Sequence, residues 1–84
     1  RIQSIALYYS PRCPHSQKVL SYLNTTDLSI PLKDVTKSSV AKEELRENGG
    51  HLIVPCLIVN GAPIYNDHAI IEWISDHHDQ LPKK

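Results

Sequence analysis

Charge of one sign is what this sequence lacks first: nine lysines and arginines balance nine aspartates and glutamates. That balance gives no electrostatic reason to expect a nucleic-acid partner or an anionic membrane. No apolar run approaches the ~20 residues of a membrane span, and no secretory signal is visible. Cysteine occurs only twice, too rarely for a disulfide framework, which points to a reducing compartment such as the cytoplasm. Repeats, linkers and low-complexity segments are missing as well. What remains is 84 residues, 40% of them hydrophobic, which suits one small folded domain over 1–84 and excludes a disordered tail. A monomer is expected.

The stretch that organises the chain is Ser10-Pro11-Arg12-Cys13-Pro14-His15-Ser16. The strand-like run Ile5-Ala6-Leu7-Tyr8-Tyr9 leads into it, and a helical run over residues 14–23 leads out. Cys13 therefore falls at a strand-to-helix turn, where the first N–H groups of a helix lack partners and favour negative charge. A thiol placed there loses its proton more readily, and the thiolate is the reactive form. Arg12 adds a cation next door, and His15 adds one when protonated. Pro14 suits the first helical position, where a missing N–H costs nothing. The local chemistry is that of an activated nucleophile, and an incidental cysteine at a helix start is the alternative.

The remaining elements follow from periodicity. Residues 3–9 read as a buried strand. Val19, Leu20 and Leu23 form one helical stripe, and Asn24-Thr25-Thr26-Asp27 ends that helix. Leu28, Ile30 and Leu32 alternate, giving a second strand over residues 28–35. Pro31 within it places this strand at a sheet edge. Residues 38–48 form a second helix with a thin apolar face of Val40, Ala41 and Leu45, and Lys42 to Glu47 as a solvated face. Asn48-Gly49-Gly50 stops it. Asn60-Gly61 between two apolar runs signals a two-residue hairpin. A third helix starts near Asp67, a good N-cap, with Ile70, Trp73, Ile74 and His77 as its inner stripe. The order is β-α-β-α-β-β-α. It predicts an α/β domain with a four-stranded mixed sheet, the first two strands parallel, and helices on both faces.

Three segments carry a resemblance. Tyr8-Tyr9-Ser10-Pro11-Arg12-Cys13-Pro14-His15-Ser16 resembles the active-site segment of the glutaredoxins, a branch of the thioredoxin-like fold. Leu52-Ile53-Val54-Pro55-Cys56-Leu57-Ile58-Val59-Asn60-Gly61 resembles that family's cis-proline segment. Ile64-Tyr65-Asn66-Asp67-His68-Ala69-Ile70-Ile71-Glu72-Trp73-Ile74 resembles the glutathione-binding helix start of glutaredoxins and of glutathione-transferase N-terminal domains. They occur in the family's order and span nearly the whole chain.

The resemblance implies a glutathione-dependent thiol–disulfide oxidoreductase of cell redox homeostasis, with glutathione as co-substrate and glutathionylated proteins or small disulfides as partners. Cys13 is then the nucleophile. Ser16 stands where dithiol members carry a second cysteine, so a one-cysteine mechanism is implied. The Ser16 hydroxyl either donates to the thiolate or is an acceptable first-turn residue. A cis Val54–Pro55 bond would offer the Val54 backbone to the tripeptide. The helix start at Asp67 and His68 would hold the γ-glutamyl end, its free N–H groups taking the carboxylate and Asp67 the ammonium; His68 itself reads as an exposed first-turn residue. Asn66 replaces an acidic residue usual in the transferase version. Ser10 replaces a lysine common in glutaredoxins, leaving Arg12 or Lys18 for the glycine carboxylate. Cys56 is a small buried hydrophobe, or it resolves Cys13 or responds to oxidation. The five histidines match no zinc spacing, so no metal site is expected. Two alternatives stand beside the enzyme: a glutathione-ligated iron–sulfur cluster-binding protein, and a glutathione-transferase-like module, for which the chain is too short to hold the helical substrate domain.

Overall fold

The computed structural model describes residues 2–84. Its chain order is β1 (Ile5–Tyr9), α1 (Pro14–Asn24), β2 (Leu32–Asp34), α2 (Ser39–Gly49), β3 (Cys56–Val59), β4 (Ala62–Tyr65) and α3 (Asp67–Asp76), with a 3₁₀ turn at His78–Gln80. The sheet runs β2-β1-β3-β4. β1 pairs parallel with β2 and antiparallel with β3, and β4 is antiparallel to β3. This is the four-stranded mixed sheet that the element order implied, in the thioredoxin-like arrangement that the resemblance implied.

Period-2 alternation divides the interior in two. Leu7 and Leu57 stand opposite each other and point into the layer packed by α1 and α3, with Val19, Leu23, Ile70 and Ile74. Tyr8, Cys56 and Ile58 point to the other face, which Ala41 and Leu45 of α2 cover. The buried Tyr8 needs a partner for its hydroxyl. It donates to Glu44 Oε1 at 3.3 Å, and Lys33 Nζ reaches the same oxygen at 2.8 Å. Glu44 is therefore part of the packing and not of a purely solvated helix face. Val40 belongs to no core layer and is 67% exposed, contrary to its place in the expected stripe.

Local signals set the element ends. Ser38 caps α2, its hydroxyl accepting the Ala41 N–H at 3.1 Å. Gly50 ends the helix in the left-handed region, φ +84°, donating to Arg46 O. Asn60 and Gly61, at φ +50° and +82°, form the hairpin turn. The Asn60 side chain also accepts the Gln3 and Ser4 N–H groups at 2.7 and 3.0 Å. Residues 3 and 4 thus bond to a side chain, and β1 begins only at Ile5.

β2 is shorter than residues 28–35. Pro31 lies just before it and offers only its carbonyl, to the Leu7 N–H at 2.9 Å. The backbone upstream pairs with the C-terminal tail instead: Ser29 N–H donates to Pro82 O and Lys84 N–H to Asp27 O, flanking a Leu28–Lys83 bridge. β2 is an edge strand, and so is β4, where Pro63 pairs with Ile58. In α3 the stripe splits. Ile70 and Ile74 are fully buried, whereas Trp73 and His77 stack on each other at 4.1 Å, half-buried.

Two consequences are measurable. A Cβ at Gly49 would lie 2.7 Å from Tyr65 Oη and 3.3 Å from Leu45 Cδ1, and Tyr65 Oη is tied to Gly49 O at 2.6 Å. Overpacking costs about 1–3 kcal/mol, against at most about 1 kcal/mol of helix propensity gained. Gly49→Ala should therefore lose roughly 1 kcal/mol in urea unfolding, and should be neutral or stabilising in a Tyr65→Phe background.

The second concerns pH. His78 Nε2 lies 2.7 Å from Asp27 Oδ1. Asp27, with Asp79 second, holds the imidazole above its ordinary range, and His78 holds the Asp27 carboxyl below its own. A raised imidazole stabilises below its unfolded value and stops doing so as pH climbs through the folded one; a lowered carboxyl stabilises above its unfolded value. The pair thus contributes most between about pH 4 and about pH 6.5. The difference in urea midpoint between the protein and His78→Ala should shrink as pH rises above about 6.5.

Candidate functional site

The turn before α1 presents Cys13. Cys13 N–H donates to Ser10 O at 3.1 Å, closing the turn, and Gln17 N–H donates to Cys13 O at 2.9 Å, opening the helix. Cys13 is the N-cap, with extended backbone at φ −86°, and Pro14 follows at the first helical position. As a thiol it makes no capping hydrogen bond. Its Sγ faces Val54 O at 3.8 Å instead. Partial burial works to raise the Cys13 pKa. The Ser16 N–H, the Ser16 hydroxyl and the His15 N–H oppose this and outweigh it, so the thiol sits below its ordinary value. These donors gather where α1 leaves its first N–H groups unpaired, and they stabilise the ionised sulfur. Ser16 is fully buried. Its oxygen accepts the Ser10 N–H at 3.3 Å, which leaves its proton for the sulfur.

The second wall comes from residues 53–55. The Val54–Pro55 bond is cis, Pro55 is buried, and Val54 is half-buried. Beyond it lies the start of α3, and here the sequence-based cap is one residue off. Asn66, at φ +82°, is the N-cap, and Asp67 is the first helical residue. An asparagine tolerates positive φ better than most residues, and its Oδ1 accepts the His68 N–H at 2.9 Å. Asp67 Oδ1 accepts the same N–H at 2.7 Å. Between these walls is a cleft of ≈ 210 Å³ lined by His15, Ile53, Val54, Pro55, Asn66 and Asp67.

Asp67 is only 7% exposed, and its second oxygen is partnered across the cleft. Oδ2 lies 3.1 Å from His15 Nδ1 and 3.9 Å from Lys18 Nζ. His15 is the main cause that holds the Asp67 carboxyl below its usual range; burial opposes, and the His68 N–H and Lys18 assist. Sequence reasoning paired neither His15 nor Lys18 with Asp67. The contact spans 52 positions, and no local pattern announces it.

The other sequence-derived candidates are placed as follows. Arg12 is exposed on the turn outside the cleft lining, and its N–H donates to Ser10 Oγ at 3.4 Å. His68 is exposed on the first turn of α3, and its ring approaches Lys18 Nζ at 3.4 Å. Cys56 is fully buried, and burial pushes its thiol up to about 11, the environment of an inert cysteine.

The family model for the glutathione S-transferase N-terminal domain matches residues 7–82. The chain belongs to that family. No curated protein matches it. Among solved structures, this transferase-type domain is similar to the thioredoxin-like protein BC3987, at 22% identity and a TM-score of 0.71, over 87% of this chain and 96% of that one. It is similar to a buckwheat glutaredoxin in a glutathione complex, at 15% identity and a TM-score of 0.64, over 86% of this chain and 68% of that one. It is also similar to the Tau class glutathione S-transferase from mango, at 23% identity and a TM-score of 0.68. There the match covers 99% of this chain and 38% of the mango protein. The domain thus shares its fold with glutaredoxins and with the first part of a transferase.

The arrangement predicts how the thiol responds to mutation. Ser16→Ala removes one donor to the sulfur and keeps the backbone N–H groups. The rate of Cys13 alkylation by iodoacetamide, followed against pH, should show a midpoint below that of free cysteine, about 8.5. That midpoint should move upward in Ser16→Ala.

Proposed function

We propose that the domain is a glutathione-dependent thiol–disulfide oxidoreductase working through one cysteine, as a monomer in a reducing compartment. The observation that carries this reading is the Cys13 sulfur itself. It is held below its ordinary pKa at the open end of α1, and it faces the Val54 carbonyl beside a cleft that ends on Asp67. In the first step the Cys13 thiolate attacks the glutathionyl sulfur of a mixed disulfide. The old S–S bond breaks, a Cys13–glutathione disulfide forms, and the partner leaves as a thiolate that takes up a proton from solvent. In the second step a glutathione thiolate attacks the glutathionyl sulfur on Cys13. Oxidised glutathione leaves and the Cys13 thiolate is restored. A low thiol pKa helps both as a larger thiolate fraction and as a better leaving group.

The tripeptide has matching groups along the cleft. Among the described residues, the Val54 N–H has no partner, and with the Val54 carbonyl it suits pairing with a peptide backbone. The start of α3 suits the γ-glutamyl carboxylate, and Asp67 suits the α-ammonium. Arg12, exposed on the Cys13 turn, suits the outer carboxylate, whereas Lys18 stands 3.9 Å from Asp67 Oδ2, at the γ-glutamyl end. Cys56 takes no part, being buried and protonated.

The family match favours a second reading, a module that activates glutathione for conjugation. The two separate experimentally. With a glutathione mixed disulfide as substrate, Cys13→Ser should fall to the uncatalysed rate while Cys56→Ser keeps most of the activity. The reverse pattern refutes the assignment. Turnover of chlorodinitrobenzene without disulfide exchange would select the conjugating module.

A further inference from the structure

Four large apolar side chains stand in solvent among the described residues: Leu32, Val40, Leu52 and Ile53. Exposed apolar residues are ordinary when scattered. Leu32 and Val40 lie on β2 and α2, outside the cleft lining. Leu52 and Ile53 are different. They are consecutive, 49% and 54% exposed, and they lead straight into the cis Val54–Pro55 bond. Ile53 also lines the cleft. The ionisable residues of that lining are His15 and Asp67, which face each other with Lys18 beside them. The cleft thus joins an ionic end to an apolar lip.

Two fixed points give the direction in which a γ-glutamylcysteinyl ligand would lie. Its sulfur joins Cys13, whose Sγ faces the Val54 carbonyl, so its cysteinyl residue lies against Val54. Its ammonium meets Asp67. Tyr65 stands opposite Cys56 in the β3–β4 pair, so the chain continuing to Asn66 and Asp67 passes beside Pro55. The ligand's first residue is therefore on the Pro55 side of Val54. A residue that exchanges both backbone bonds with Val54 runs antiparallel to it, which agrees with this direction. The residue after the cysteine then falls on the other side, against Ile53 and Leu52. Glycine puts no side chain there.

We propose that Leu52 and Ile53 determine specificity at the third residue, and that the site takes γ-glutamylcysteinyl tripeptides with an apolar third residue in preference to glutathione. The proposal rests on the glutathione reading above and narrows it. A leucine side chain at that place covers Ile53 and removes apolar surface of both partners from water, which is favourable in proportion to the area. A carboxylate side chain there gives up hydration against the lip and gains no partner from the cleft lining. The terminal carboxylate is common to all these ligands and does not enter the comparison.

The test is calorimetric binding to Cys13→Ser of three ligands that cannot exchange: S-methylglutathione and its analogues with leucine or glutamate in place of glycine. The leucine ligand should bind about five-fold tighter than S-methylglutathione, and the glutamate ligand more weakly than either. The leucine ligand should also bind with the more negative heat-capacity change. In Cys13→Ser/Leu52→Asn/Ile53→Asn the leucine preference should fall within about two-fold. Both side chains are half exposed, so these replacements open no core, and the ratio of two ligands on one protein is insensitive to a general loss of stability. Binding of S-methylglutathione as tight as that of the leucine ligand overturns the proposal, and so does a preference that survives both asparagines. A ligand ratio left unchanged, with exchange on a glutathionylated protein slowed relative to a small glutathione mixed disulfide, overturns it too and assigns the lip to the partner chain. Each of these leaves the oxidoreductase reading standing. No binding of any of the three ligands, together with no exchange by the unmutated protein, overturns both.

Discussion

The antiparallel register of β1 on β3 is the constraint on which the rest depends. Tyr8 faces Cys56 and Leu7 faces Leu57. Continuing each strand by a few residues brings the Cys13 turn and the Val54–Pro55 segment to the same end of the sheet. Hydrophobic layering enforces that register. A slip of one residue would turn Leu57 toward α2, expose Cys56 and Ile58 to the other layer, and separate Cys13 from the Val54 carbonyl. The core therefore sets the Cys13 sulfur against the Val54 carbonyl, and it does so through residues outside the cleft lining.

The two cysteines show how little residue type decides by itself. Cys13 lies at a helix mouth with N–H groups and a hydroxyl gathered around it, and its thiol is lowered. Cys56 opens β3, packed with Tyr8 and Leu45, and burial raises it. Chain distance separates them less than dielectric environment does. Both stand at the same end of the sheet, and what differs is that ionisation is favoured at the first and opposed by burial at the second.

What could be read from the sequence was what neighbours in the chain dictate. The Cys13-Pro14 helix start, the Gly50 stop and the Asn60-Gly61 hairpin each follow from backbone preferences within a few residues. The apolar stripes gave the layers because burial repeats at the period of the element. Val40 misled because its neighbour Ala41 fills the space against the sheet and leaves it outside. The α3 cap shifted by one because Asn66 and Asp67 are both good caps, and only the three-dimensional path puts Asn66 at positive φ. The polar contacts between distant segments were not legible: His15 with Asp67, His78 with Asp27, Glu44 with Tyr8 and Lys33. Such pairs have no period, and neither partner's local sequence names the other. Cys13 and Asp67 could therefore be singled out in the sequence, while the contact of His15 with Asp67 could not.

Both margins of the sheet bear a proline, Pro31 at the entry to β2 and Pro63 within β4. A strand arriving from another molecule would meet a missing donor at Pro63 of β4, and at β2 a rim of only three residues, one of them Lys33. Edge-to-edge growth is thereby discouraged. A chain of this size, rich in short apolar strands, carries in its own rims a safeguard against templated aggregation.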